Sequence, residues 1–401
     1  MRIFLYFVLA ATVVACSQGT SNNSNDINDS VAGYGTNVNK AMREDALRRA
    51  KVWMEPTVPV ESFNFLEGVE GEGAISSAEE IKCKWDYKEG MKGNTPKFRC
   101  KTDDDVSLKV KYSKKKKNNN AEIPAEIAAT RLLRALGFGA DSMYTAKNIR
   151  CLGCPSDPWG YTIQLHSAFP EVRKKFLWTF GRQNRNGEYY YEPDFSDYTD
   201  FSFVAIEKKF GGHSIEVKNK DGWKWKELEK ISSERGGSSK TEIDALVMMA
   251  VFLYHTDSKT DQQRLVCLDA LTEEGYCERP MLIMQDLGAT FGSDGPSIFK
   301  NHTKFNVEAW EKAPFWKDHE GCVVDIKDAP NGTFKEARIS ETGRLFLGGL
   351  LNRLTDPQIT DLFIGARAHE FKNRGEGEIA RWVSAFKGRR EMITNRVPCP
   401  N

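Results

Sequence analysis

"YHTDSKTDQQRLVCL", residues 254–268, is the stretch on which the reading of this chain turns. Between His255 and Asp261 it sets one His, two Asp and one Lys, and it then becomes apolar. The segment before it, "TEIDALVMMAVFLY" (241–254), is hydrophobic almost all round, the pattern of a buried helix. Charge is thus delivered at the exit of a core helix. The segments after it, "QRLVCL" (263–268) and "PMLIMQDLG" (280–288), read as two short strands joined by a loop. The second strand runs into another carboxylate, Asp286.

Upstream the period changes. "KCKWDY" (82–87), "KFRCKT" (97–102) and "VSLKVKYS" (106–113) alternate with period two. In the last, Val106, Leu108 and Val110 share one face, and Lys109 and Lys111 share the other. A Gly/Pro loop, "KEGMKGNTP" (88–96), holds Gly90 and Gly93. "AEIPAEIAATRLLRALGFGAD" (121–141) then predicts a helix, with Pro124 in its first turn and Gly137 at its end. Ala128, Leu132 and Leu136 form its inward stripe, and Glu126 lies in the first turn. A further helix is expected near Ala41–Met54. Residues 145–235 are aromatic and mixed, with a strand in "FVAIEKKFGG" (203–212) and a helix start in "DGWKWKELEK" (221–230). "SSERGGSSK" (232–240) reads as a polar linker, and 339–354 and 359–397 as helical. "KKKKNNN" (114–120) reads as a solvated loop. A strand-rich first part with one helix, followed by a mostly helical second part, makes an α+β protein.

The chain has 401 residues, with 57 Lys+Arg against 56 Asp+Glu. That balance excludes a global basic field, and no nucleic-acid partner is expected. "MRIFLYFVLAATVVAC" (1–16) reads as an export signal, and "VVAC" resembles a bacterial lipobox. The expectation is a signal peptide over 1–15, a lipid on Cys16 and a flexible tether over 16–40, "SQGTSNNSNDINDSVAGYGTNVNK" being too polar to fold. This predicts a lipid anchor in a bacterial cell envelope, on the outer membrane rather than the inner. Eight further cysteines in an exported chain favour disulfides. The expected pairs are Cys83–Cys100, Cys151–Cys154, Cys267–Cys277 and Cys322–Cys399. Cys151-Leu-Gly-Cys154 has the spacing of half a zinc site, but no second such pair follows it.

The opening stretch now gains a chemical reading. His255-x-Asp257-x-Lys259-x-x-Gln262 resembles the H-R-D-x-K-x-x-N catalytic loop of protein kinases, and Asp286-Leu287-Gly288 resembles D-F-G. Phosphoryl transfer needs one carboxylate to orient the attacking hydroxyl and metal ligands to bridge the phosphates. "PAEIAATRLLRALGF" looks like the E-x-x-A-x-x-L-x-x-x-L-G helix of the HipA-like, phosphatidylinositol and secretory-pathway kinases. The resemblance covers roughly Cys83 to Gly292. It implies a two-lobed kinase-like fold. The N-lobe, within 41–235 (core about 79–145, plus an aromatic insert), would hold an antiparallel sheet and one helix. The C-lobe, 236–401, would be mostly helical. It also implies roles. Asp257 would be the catalytic Asp, Lys259 a phosphate contact and Asp286 the main metal ligand. Lys111, with Lys109 as the alternative, would bind nucleotide beside Glu126, under a loop with Gly90 and Gly93. Gln262 would be a metal ligand where the pattern has Asn, and the adjacent Asp261 is a possible substitute. Gln263 and Arg264 are read as structural. The implied activity is phosphoryl transfer from ATP, with Mg or Mn, to an unknown protein or small-molecule acceptor. An inactive kinase-like binding lipoprotein and nucleotidyl transfer (adenylylation) are the alternatives.

Overall fold

The computed structural model describes residues 36–71, 73–88, 93, 95–114, 118–292, 305–326, 334 and 336–400. Cys16, Gly90, the leader and most of the tether lie outside the described residues. The fold is α+β, with helices packed on two main sheets.

Seven strands form the larger sheet, in the order Tyr198–Phe201, Asn148–Leu152, Glu80–Trp85, Lys97–Lys101, Ser107–Tyr112, Val204–Lys208 and Ser142–Tyr144. The expected antiparallel sheet is in fact mixed. Glu80–Trp85 and Asn148–Leu152 run parallel, from Glu80 beside Asn148 to Lys84 beside Leu152. The chain reaches that position only after a long excursion through the helix Glu122–Ala135, and long connections permit parallel pairing. Period-two alternation splits the sheet's faces. Trp85, Phe98, Cys100, Leu108, Val110, Ile149 and Phe201 build one core. The insert covers it, with helices Pro158–Leu165 and Pro170–Phe180 applying Trp159, Tyr161 and Phe176. Val106 does not join that core. The strand begins at Ser107 and leaves Val106 about half exposed, at 49%. The opposite face carries Lys97, Lys109 and Lys111, and the helix Glu122–Ala135 lies against it.

The second sheet has the order Thr36–Asn37, His213–Glu216, Gln263–Cys267, Pro280–Met284 and Gly139–Ala140. The chain passes from the first sheet to this one over residues 209–212. The expected helix at 41–54 is Lys40–Arg49, capped by Asn39, which accepts from the Met42 N–H. It stops early because the Lys51 backbone joins the edge of Pro280–Met284. Lys51 N donates to Pro280 O at 2.9 Å, and Leu282 N donates to Lys51 O at 2.8 Å. "DGWKWKELEK" likewise yields only a 3₁₀ segment, Trp225–Lys230, with Trp223 and Trp225 buried.

The core helix is Lys240–Leu253, opened by a capping box of Ser239 and Glu242. It ends at Tyr254, whose φ of 56° is left-handed. Helices Glu341–Asn352, Asp356–Gly365 and Gly377–Thr394 complete this half. The fully buried Arg389 fixes the exit. It donates to Val251 O at 2.9 Å and Phe252 O at 3.1 Å, and also to the carbonyls of Trp310 and Ala313, each at 2.8 Å. Val251 and Phe252 lie in the last turn of the core helix, where a guanidinium is favourably placed. The loop carrying Asp257 therefore starts from a rigid point.

All four expected disulfides are present: Cys83–Cys100, Cys151–Cys154, Cys267–Cys277 and Cys322–Cys399. Among the described residues no helix is long and apolar enough to cross a membrane.

Candidate active site

Lys111 is the centre of the site. Its strand points it away from the aromatic core and toward the helix Glu122–Ala135, and it is 2% exposed. Its ammonium lies 2.7 Å from Glu126 Oε1, 3.4 Å from Glu122 Oε2 and 3.1 Å from Asp286 Oδ1. Strand, helix and the Asp-Leu-Gly turn thus meet at one nitrogen. Burial alone would push the Lys111 pKa down. The carboxylates of Glu126, Asp286 and Glu122, with Glu207 farther off, override burial and hold it well above its ordinary value. Burial pushes Glu126 up to about 8, against the pull of Lys111. Asp286 is held far below the usual carboxylate range, chiefly by Lys111.

Asp286 sits at φ 50°, a left-handed backbone that turns its carboxylate back toward the strand. Gly288 is required by close approach, since a Cβ there would lie 2.7 Å from Glu122 Cγ. The turn is bonded to the loop that carries Asp257. Thr256 N donates to Ala289 O at 3.0 Å, Phe291 N to Leu253 O at 2.7 Å and Gln285 N to Gln262 O at 2.9 Å. In that loop Asp257 Oδ2 accepts from Lys259 Nζ at 3.2 Å and from Gln262 Nε2 at 3.0 Å. Asp257 Oδ1 has no hydrogen-bond partner among the described residues. His255 is fully buried, and burial pushes its pKa down to about 4 despite Asp257 and Asp286. It is a neutral ring packed beneath the loop. Asp261 is exposed, and its carbonyl accepts from Gln285 Nε2 at 3.2 Å.

The structure therefore brings Lys111, Glu126 and Asp286 into contact, and separately joins Asp257, Lys259 and Gln262. The two strand lysines have different partners. Lys109 pairs with Glu207 at 2.7 Å and does not reach Glu126. Glu207 also meets Lys209 at 2.8 Å, and Lys209 bonds Asp141 at 3.0 Å and Gln285 Oε1 at 3.1 Å. Gln263 and Arg264 are buried: Gln263 donates to Ser258 O, and Arg264 to Phe210 O. Gly93 lies in an exposed loop at φ 99°. Sequence reading missed Glu122, although it stands one helical turn before Glu126 on the same face. It also missed the Asp141–Lys209–Glu207 group, which forms only through strand register.

Asp286 and Glu122 are the carboxylates at this ammonium whose chemistry suits a divalent cation. Asp286 is 47% exposed, has one oxygen on Lys111, and stands with Glu122 at the same ammonium. Carboxylate and carboxamide oxygens suit hard ions such as Mg²⁺ or Mn²⁺. Among the described residues no group of three or more His, Cys, Asp or Glu could hold a metal ion by itself. Such a site would take its remaining ligands from a phosphate.

No family model matches this chain, and no curated protein matches it. Two solved structures show a loose likeness. One is described as the crystal structure of the Golgi casein kinase with Mn/ADP bound, with TM-score 0.30 and 11% identity over 79% of this chain and 73% of that one. The other is the Golgi casein kinase, with TM-score 0.32 and 12% identity over 93% and 92%.

Proposed function

We propose that this chain is a metal-dependent phosphotransferase of the two-lobed kinase kind, moving a phosphoryl group from ATP to an acceptor hydroxyl. The lobes would be 41–235 and 236–401, with the aromatic insert in the first. One observation carries the reading: a buried lysine on a sheet touches both a glutamate of the adjoining helix and the Asp of an Asp-Leu-Gly turn. A structural ion pair needs one carboxylate. Three, drawn from two elements far apart in sequence, suit a site that must hold a charged ligand.

In this reading Lys111, kept charged by its carboxylates, meets the nucleotide phosphates while Glu126 fixes its position. Asp286 and Glu122 hold the metal, which when bound would neutralise charge developing on the phosphates. Asp257 orients the acceptor hydroxyl and takes its proton. Lys259 lies beside it to offset charge. An inactive scaffold is the second reading. Its support is Gln262, whose amide engages Asp257 Oδ2 and competes with an incoming hydroxyl. We propose further that the protein works outside the cytoplasm, anchored by Cys16 in a bacterial envelope. The leader sequence and the four disulfides support this.

Calorimetry with ATP and Mn²⁺ or Mg²⁺ on the purified protein tests the reading. Asp286→Ala is expected to abolish metal-dependent binding. Asp257→Ala is expected to leave binding within about threefold and lower transfer by roughly 10²–10⁴. Label moving from the γ-phosphate supports phosphoryl transfer, and label from the α-phosphate would replace it with nucleotidyl transfer. No heat with either metal removes the enzyme reading.

A further inference from the structure

Resting on that reading, we infer that Lys97 is a second phosphate-binding cation, acting with Lys111 on the phosphate chain of the nucleotide. It opens the strand Lys97–Lys101, directly after the loop that contains Gly93. Antiparallel register places it opposite Lys111, so both side chains leave the same face of the sheet.

The two ammoniums have different company. Lys111 meets three carboxylates. Lys97, half-buried, has no carboxylate in ion-pair reach among the described residues. Its Nζ lies 5.4 Å from the centre of the Trp159 ring. It also rests against Gly93, where a Cβ would come within 3.0 Å of it. An aromatic face and a bare glycine backbone hold the ammonium without neutralising it. A half-buried cation without a counter-ion is costly unless an anion arrives to meet it. Burial lowers its pKa, and so do the neighbouring Lys111 and Lys109, while Asp286 and Glu122 pull it back up. Those couplings put Lys97 at the edge of the same cluster.

Charge counting gives the cluster a need for it. One ammonium stands there against Asp286 and Glu122, while Glu126, pushed up to about 8 by burial, is largely protonated at neutral pH. Lys111 is already compensated before any phosphate approaches, and the carboxylates would repel a polyanion. A divalent ion offsets part of that repulsion. Lys97 supplies a positive charge that no carboxylate among the described residues pairs with directly.

The test uses the full-length protein with Mn²⁺ and two probes, ATP and inorganic tripolyphosphate, by calorimetry. Lys97→Met keeps the apolar stem over Trp159 and removes the charge. It is expected to weaken both probes by the same factor, about ten- to a hundredfold, as loss of a charge-assisted contact does. Lys97→Arg should restore both to within a few-fold. The melting midpoint without ligand should not fall, because no ion pair is lost and an uncompensated charge is removed. Wild-type affinity for both probes in Lys97→Met would overturn the inference. If Lys111→Ala still loses binding in that case, the proposed function stands. Weakening for ATP alone would assign Lys97 to the base or ribose and also overturn it. A wild-type protein that binds neither probe overturns both readings together.

Discussion

Lys109 and Lys111 leave one strand on one side, two residues apart, and end in different worlds. Lys109 meets Glu207 on the neighbouring strand, within a lattice that continues through Lys209 to Asp141. That is cross-strand pairing of the ordinary sort, with each cation matched by a carboxylate. Lys111 lies farther from Glu207 and under the first turn of a helix, where Glu122, Glu126 and Asp286 converge. The first arrangement is saturated and holds the sheet. The second has an excess of carboxylate and a half-exposed Asp, and it can act on something else. The lesson is that residue type and period are identical at the two positions. Function separates them only through which distant elements arrive.

The comparison breaks first, if it breaks, at stability. Lys111→Met strands three carboxylates around a buried void and should cost about 3–5 kcal/mol. Lys109→Met should cost about 1 kcal/mol, because Lys109 is partly solvated and Glu207 keeps Lys209. Urea unfolding measures both. Equal losses would mean that the Lys111 cluster is only another structural lattice. The double variant Lys111→Met with Asp286→Asn should recover part of the loss, since one stranded charge is then removed.

The two regions meet at the hairpin of Gln263–Cys267 and Pro280–Met284. Gln285, next to it, accepts from Lys209 and precedes Asp286. Cys267–Cys277 closes this hairpin. Replacing both cysteines by Ser should cost roughly 2–3 kcal/mol for a loop of this size. Metal–ATP affinity should change less than threefold, because the ladder still sets the register. A larger loss of affinity would show that the crosslink itself positions Asp286, and the two lysine regions would then not be separable.

How much of this was legible beforehand follows from the same distinction. The Lys, Glu, His-x-Asp-x-Lys and Asp-Leu-Gly order was readable because each lies in a short segment with its own period. Cys83–Cys100 and Cys267–Cys277 were readable because each flanks a probable hairpin, whereas the sequence alone does not fix the full connectivity. Lys97 was not, since its place opposite Lys111 depends on register across a loop. Glu207, Lys209 and Asp141 come from three strand ends that no local pattern joins. The insert was opaque for another reason. Residues 145–203 alternate poorly, and the strands Asn148–Leu152 and Tyr198–Phe201 are called up by an existing sheet edge rather than by their own propensity. The ends of Lys40–Arg49 and Trp225–Lys230 were misjudged because tertiary partners claim the backbone there.

Acid sharpens the contrast further. Burial would raise the Glu207 pKa, but Lys209, Lys109 and Lys111 override it and hold the group far below the usual range. A depressed carboxylate stabilises the fold fully above its unfolded pKa, near 4.3, and progressively less as pH falls toward its folded value. The stability difference between wild type and Glu207→Gln should therefore be flat from pH 7 to about 5 and shrink below that. A gap that widens in acid would mean Glu207 is protonated in the native lattice, and Lys109 would no longer count as saturated.

The smallest expected effect concerns the loop that carries Asp257. Gln262 is 7% exposed, and its amide donates to Asp257 Oδ2 at 3.0 Å. Asn is one methylene shorter and loses that bond, which should cost about 0.5–1.5 kcal/mol of stability. The same change frees Asp257 Oδ2 and draws the carboxamide oxygen back along the loop. If the long amide restrains Asp257, Gln262→Asn should raise the rate of transfer a few-fold while leaving Mn–ATP affinity within about twofold. Single-turnover transfer at saturating ATP, set beside calorimetry, separates the two quantities. A rise in affinity as well would mean that residue 262 is itself a metal ligand, short of its ion by a methylene. A fall in rate with unchanged affinity would mean that the amide holds Asp257 in its working orientation, and the loop would then resemble the Lys109 lattice more than the Lys111 cluster.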